Sequence, residues 1–185
     1  MSPLPPAYAW IDDVIASGES PRTLIEGRRR FGVAEVPGDR DNPQILAWAR
    51  ELGVEADYVR DEISWCGLFM GIVVERAGWR PVERLLAARS WLRFGQAADR
   101  PSLGDILVFW RGLKSGWQGH VGLYVGEDAT AFHVLGGNQG DRVCIARLAR
   151  RRLLGARRPK WRVAQPQGVK PVRLLAAGKL SENEA

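Results

Sequence analysis

The sequence predicts an α+β fold, with N-terminal helices packed on an antiparallel β-sheet. Two observations carry that expectation. Helix signals crowd the first half of the chain. From Gly104 onward the pattern shortens to β-branched and aromatic runs separated by turn residues. A third observation sets the scale: 185 residues, 45% hydrophobic and 26% charged, suit one folded domain with a short appendage.

The elements follow in chain order. Ser20-Pro21 reads as a cap with proline at the first helical position, opening a helix towards Phe31. Asn42-Pro43 repeats the signal, and the helix it opens stops at Gly53. Ser64 can cap a third helix that Gly78 ends, and nearly every residue between is apolar, so it is expected at the centre of the core. Strands are expected over 105–110, 120–125, 131–135 and 142–148. The domain therefore spans 1–163, its N-terminal helical part about 1–60. Residues 164–185 read as a linker and a tail of weak helical character.

Composition narrows the class. No window approaches 18 consecutive apolar residues, and Met1-Ser2-Pro3-Leu4-Pro5-Pro6 has no basic region followed by an apolar stretch. The expectation is a protein made in the cytoplasm without a signal peptide. Two cysteines make no disulfide scaffold, although a single bridge stays open. Two histidines without close Cys/His spacing argue against structural zinc. Asp39, Asp41 and Asn42 lack the glycine and distal glutamate of a calcium loop. No metal and no cofactor is expected.

The net charge of +6 is uneven. No Asp or Glu falls between Asp141 and Glu182, whereas Arg147, Arg150, Arg151, Arg152, Arg157, Arg158, Lys160, Arg162, Lys170 and Arg173 do. The stretch 147–173 suits an anionic partner such as a cell-envelope polymer, or is a solvated basic face. It has no base-stacking or recognition-helix pattern, so nucleic acid is not expected.

One constellation carries chemistry. Cys66 opens the apolar helix, where unpaired backbone N–H groups and the helix dipole favour a thiolate. The alternative is a small core residue. His120 begins a strand. If Gly126 pairs with Phe132 across a five-residue turn, paired positions sum to 258 and His120 faces Asn138. Asn138 could then fix the imidazole tautomer and leave the other nitrogen for the thiol. Gly122 faces Gly136 in the same register, leaving space above the sheet. His133 falls on the other face opposite Val125, a structural or solvent-bridging position. Cys144 lies mid-strand and reads as an inert core thiol. A one-residue slip would reverse every face.

Four motifs in this order resemble a known group: Trp65-Cys66 opening a helix, Gly104-Asp105-Ile106-Leu107-Val108-Phe109, Gly119-His120-Val121-Gly122-Leu123-Tyr124-Val125-Gly126, and Leu135-Gly136-Gly137-Asn138-Gln139. They are similar to the papain-like NlpC/CHAP superfamily of peptidoglycan hydrolases, in a branch common in phages and prophages. Phe31-Gly32-Val33-Ala34-Glu35, Asn42-Pro43-Gln44-Ile45-Leu46 and Ala88-Arg89-Ser90-Trp91-Leu92 extend the resemblance over roughly residues 8–160. It implies Cys66 as nucleophile, His120 as general base and a polar third residue, here Asn138. It also implies a cell-wall amidase or endopeptidase, delivered to the wall as an endolysin, a virion-associated enzyme or a secreted effector. A catalytically inactive wall-binding module of the same fold is the rival reading. Trp65, Trp91, Trp117 and Gln139 are candidate substrate contacts, with Trp117 favoured by its polar, glycine-rich loop. Asp105 is expected to hold the Pro-Ser-Leu-Gly turn together, and a monomer is expected.

Overall fold

The computed structural model describes residues 1–161, 164–175 and 179–181. Arg162 of the basic stretch and the expected boundary at 163 lie outside the described residues. The architecture is α+β: four α-helices precede a six-stranded antiparallel sheet. Helices α1 (Trp10–Ala16), α2 (Arg22–Arg29), α3 (Pro43–Glu51) and α4 (Cys66–Ala77) lead to a 3-10 helix over Ala88–Arg93. Strands β1 (Gln96–Ala97), β2 (Ile106–Trp110), β3 (Gly119–Glu127), β4 (Ala131–Gly136), β5 (Cys144–Ala149) and β6 (Leu153–Arg158) follow. Among the described residues, no helix is long and apolar enough to cross a membrane.

Local chemistry sets several boundaries. Asn42 caps α3: its side chain accepts the Gln44 N–H at 2.8 Å, with Pro43 in the first turn. Gly78 ends α4 with φ 98°, a left-handed conformation that glycine adopts without strain. At α2 the start falls later than expected. Pro21 occupies the cap position and Ser20, buried, makes no capping bond. At α4 the cap position is Trp65, whose indole has no acceptor to offer, and the Ser64 hydroxyl is turned to the Cys66 thiol.

The strand order is β1-β6-β2-β3-β4-β5. Only Arg150, Arg151 and Arg152 separate β5 from β6, yet four strand spacings part them in the order. Laid flat, that separation is about 19 Å. The connection reaches at most about 14 Å even if extended. The sheet must therefore roll up. Its outer face carries Ile106, Val108, Val121, Leu123, Val125 and Leu135 against α2, α3 and α4. Its inner face closes on a second core of Leu107, Phe109, Tyr124, Phe132, Val134, Leu148 and Ala156, supplied by the strands themselves.

Strand β6 was not expected. Leu-Leu-Gly-Ala-Arg-Arg does not alternate, and its arginines read as a charged surface. In the fold they turn inward. Arg158 pairs with buried Asp105 at 2.7 Å, and Arg157 donates to the Phe94 carbonyl at 2.6 Å. Arg147 binds Asp128, and Arg150 binds Glu127 while lying over Phe132. Much of the basic stretch is thus committed to internal carboxylates and carbonyls, so it is not simply a solvated face. Asp105 does hold its turn, accepting the Ser102 N–H at 2.8 Å.

The segment expected as linker and tail is stitched to the domain. Gly168 N–H donates to Glu19 O, Leu103 N–H to Lys170 O, and Leu174 N–H to Glu127 O. Val172 exchanges bonds with the Tyr124 hydroxyl. The described part of this segment contains no helix.

Candidate active site

The β3–β4 register explains where the site forms. Leu123 pairs with Leu135 and Tyr124 with Val134, as the sum of 258 requires. A bulge then shifts the ladder, so Gly126 pairs with His133 and Glu127 with Phe132. The expected pairs of Gly126 with Phe132 and His133 with Val125 are therefore each displaced by one. The turn is shorter than expected because Asp128 organises it, accepting the N–H groups of Thr130 and Ala131. At the other end, pairing stops at Leu123 and Leu135, before His120.

That ending leaves an opening beside β3. Tyr124 N–H donates to Asp105 O on the β2 side. By alternation, Val121 N–H points towards β4, which has already turned away. The Cys66 sulfur takes the place of the missing strand, accepting from Val121 N–H. The nucleophile candidate is thus seated on the backbone of the residue that follows His120. Gly137 lets the first turn of α4 approach this closely: a Cβ there would lie 2.7 Å from the Trp65 ring.

His120 is fixed from the inner face. Its register partner is Phe109, and it is 1% exposed. Its Nε2 lies 3.0 Å from Gln139 Oε1. The Gln139 amide nitrogen donates to Val134 O and Cys144 O at 3.2 and 2.6 Å, which settles the amide orientation. Oε1 is then an acceptor facing Nε2, so Nε2 carries the proton and Nδ1 is the basic nitrogen of the neutral ring.

The expectation for Asn138 is corrected on this point. Asn138 sits in the left-handed region at φ 55° and donates to Ser64 Oγ at 3.4 Å. The chain has left the ladder before Asn138, so extrapolated register fails and the next side chain reaches the imidazole. Gln139, expected as a substrate contact, is buried and holds His120 instead. A buried glutamine with both amide ends engaged has no exposed surface to offer a substrate.

Two of the tryptophan expectations also fail. Trp65 and Trp91 are fully buried. The Trp65 N–H donates to Glu35 Oε1 at 2.6 Å, and the Trp91 N–H to Leu85 O at 2.9 Å. Apolar rings with satisfied N–H groups belong to the core. Trp117 is 85% exposed, in the loop that joins β2 to β3.

The electrostatics differ from a ready-made thiolate. Burial pushes the Cys66 thiol up. The N–H groups of Val121 and Gly67, the Ser64 hydroxyl and the Arg111 charge pull the other way and do not overcome it. Cys66 is 3% exposed. A cavity of about 1070 Å³ lies elsewhere, between the C-terminal end of α4 and residues 80–87.

Cys144 begins β5, half-buried, with its thiol donating to Gln139 O at 3.3 Å. Both cysteines are free, so the bridge left open by the sequence does not form. Burial pushes the Cys144 thiol up. His133 is fully buried between Tyr8 Oη, 2.7 Å from Nδ1, and Asp128 Oδ2, 2.9 Å from Nε2. It takes the structural part expected for it.

No family model matches the chain, and neither a curated protein nor a solved structure matches it.

Proposed function

We propose that the chain is a cysteine hydrolase cutting a peptide or amide bond of peptidoglycan, with Cys66 as nucleophile, His120 as base and Gln139 as orienting residue. The observation that supports it best is the pairing at the start of β3. The thiol rests on Val121 N–H while Gln139 holds the imidazole of the preceding residue, His120, as the Nε2–H tautomer. That arrangement serves nucleophilic acyl transfer, in which a base must accept the thiol proton. The choice of peptidoglycan, and of a papain-like NlpC/CHAP enzyme of endolysin type, rests on the sequence resemblance.

The raised thiol defines the order of events. The proton stays on sulfur until Nδ1 of His120 removes it during attack on the carbonyl carbon. The tetrahedral oxyanion is met by N–H groups at the start of α4, Cys66 N–H among them. The imidazolium returns the proton to the leaving nitrogen, the C–N bond breaks, and a thioester to Cys66 remains. Water then attacks the thioester with His120 again as base, releasing a carboxylic acid and restoring the thiol.

A second reading has its own support: burial of Cys66 and His120 suits an inactive wall-binding module of the same fold. Clearing of a suspension of isolated sacculi separates the two. Wild type should clear it and Cys66→Ser should not. Equal clearing by both, or none by either, would remove the enzymatic reading.

A further inference from the structure

The Cys66 helix and the His120 strand come from different halves of the chain and pack on each other directly. Residues 85–93 touch both. The carbonyl oxygens of Leu85 and Leu86 pack directly on Gly67, the residue after Cys66; a Cβ there would fall 2.6 Å from Leu86 O. At the other end, Arg89 Cγ and Ala88 Cβ pack on Gly119, the residue before His120, at 3.2 and 3.5 Å from the position of a Cβ. The backbone contact at Gly67 needs glycine, whereas at Gly119 it is Phe109 O, 2.7 Å from the position of a Cβ, that excludes a side chain. Trp91, fully buried, ties the segment to itself by donating to Leu85 O.

Arg89 adds a clamp. Its Nε donates to Gln118 O at 2.8 Å, one terminal nitrogen to Lys114 O at 3.0 Å, and the other to Leu113 O at 3.2 Å. One guanidinium thus holds three carbonyls of the β2–β3 loop, a planar arrangement that lysine cannot reproduce. That loop begins at Arg111, whose charge acts on Cys66, and ends at Gly119 and His120.

We infer that Arg89 is a positioning residue: by clamping the β2–β3 loop against residues 85–93, it sets His120 and Arg111 relative to Cys66. This rests on the reading of Cys66 and His120 as the reacting pair. It adds a residue that touches neither the thiol nor the imidazole. Displacement of a reacting group by about 1 Å lowers turnover about 100-fold. Loosening the clamp should therefore act on kcat rather than on KM.

The test uses the full chain in a Cys144→Ser background, so that only Cys66 can be alkylated. Arg89→Met keeps the stem that packs on Gly119 and removes all three donors. Arg89→Lys restores one, and Arg89→Ala is compared only if it melts cooperatively. Iodoacetamide alkylation of Cys66 is followed against pH, with no substrate present. The groups acting on the thiol are Ser64, Arg111 and the N–H groups of Val121 and Gly67. In parallel, soluble muropeptides released by a muramidase serve as substrate.

Folded Arg89→Met should shift the alkylation midpoint to higher pH as Arg111 is released. It should also lower kcat 10- to 100-fold with KM within about twofold, and Arg89→Lys should recover part of both. An unchanged alkylation profile in folded Arg89→Met overturns the inference, whatever the muropeptides show. Loss confined to KM overturns it as well. If wild type does not cleave muropeptides at all, the hydrolase reading fails, while the alkylation profile still decides the role of Arg89.

Discussion

Replacing Gln139 is the perturbation with the most to say about mechanism. Gln139→Ala removes the acceptor for His120 Nε2–H and two bonds to Val134 O and Cys144 O, at a position 5% exposed. A buried donor left unpaired costs about 1–3 kcal/mol, and the carbonyls keep their other lone pairs, so a stability loss of about 2 kcal/mol is expected. For a chain of this size that is a fall in Tm of roughly 4–8 °C. Activity should suffer far more. Loss of one orienting bond of about 1 kcal/mol accounts for roughly fivefold. A wrong tautomer accounts for up to about 10⁴-fold. With the Gln139 acceptor gone from Nε2, the expected loss is about 10²–10³-fold. Asn138→Ala, which breaks only the 3.4 Å contact to Ser64, should lose less than about fivefold. Sacculus clearing, read beside thermal melting, gives both numbers. Gln139→Ala retaining more than a fifth of wild-type activity, or Asn138→Ala falling equally far, would refute the orienting role.

Other consequences can be checked with the same protein. Cys144→Ser should stay active, because a serine hydroxyl can still donate to Gln139 O; a folded but inactive variant would show that the wrong thiol has been assigned. Asp105→Ala should lower stability by about 3 kcal/mol in urea unfolding, since it removes both carboxylate bonds of Arg158 and the acceptor of the Ser102 N–H; a loss under 1 kcal/mol would show that the pair is not structural. Burial lowers the His133 pKa below its ordinary 6.5, so the unfolded chain binds more protons just below that pH. Stability is then fully present above about 6.5 and falls on acidification towards the folded value; a flat urea midpoint from pH 7.5 to 5 would count against this, and Tyr8→Phe should lessen the slope.

What the sequence made legible was local. Asn42-Pro43 and Gly78 act through their own backbone, so cap and stop appear where the chemistry places them. The apolar runs of β2, β3 and β4 were readable because one face meets the helices and the other a second core. Cys66 does open its helix and His120 does lie at the start of β3, where the neighbouring Val121 N–H meets the thiol. The third residue was not readable. Asn138 and Gln139 are adjacent, and the choice between them turns on a loop that leaves the ladder and puts Asn138 at φ 55°. Strand β6 was hidden for a different reason. Its arginines find Asp105 and the Phe94 carbonyl only after the sheet rolls up, and nothing nearby in sequence announces those partners. The tryptophans show the same limit: Trp65 and Trp117 both flank catalytic candidates, but only the packing makes one core and the other surface.

The central claim is that Cys66 opens a bond in peptidoglycan. Mass spectrometry of the soluble fraction from sacculi incubated with wild type and with Cys66→Ala tests it most directly. Wild type should release fragments carrying a new carboxyl and a new amine at one kind of amide bond, with the mass of one water gained. Cys66→Ala should release none. Identical fragments from both proteins, or intact sacculi with a folded wild type, would contradict it.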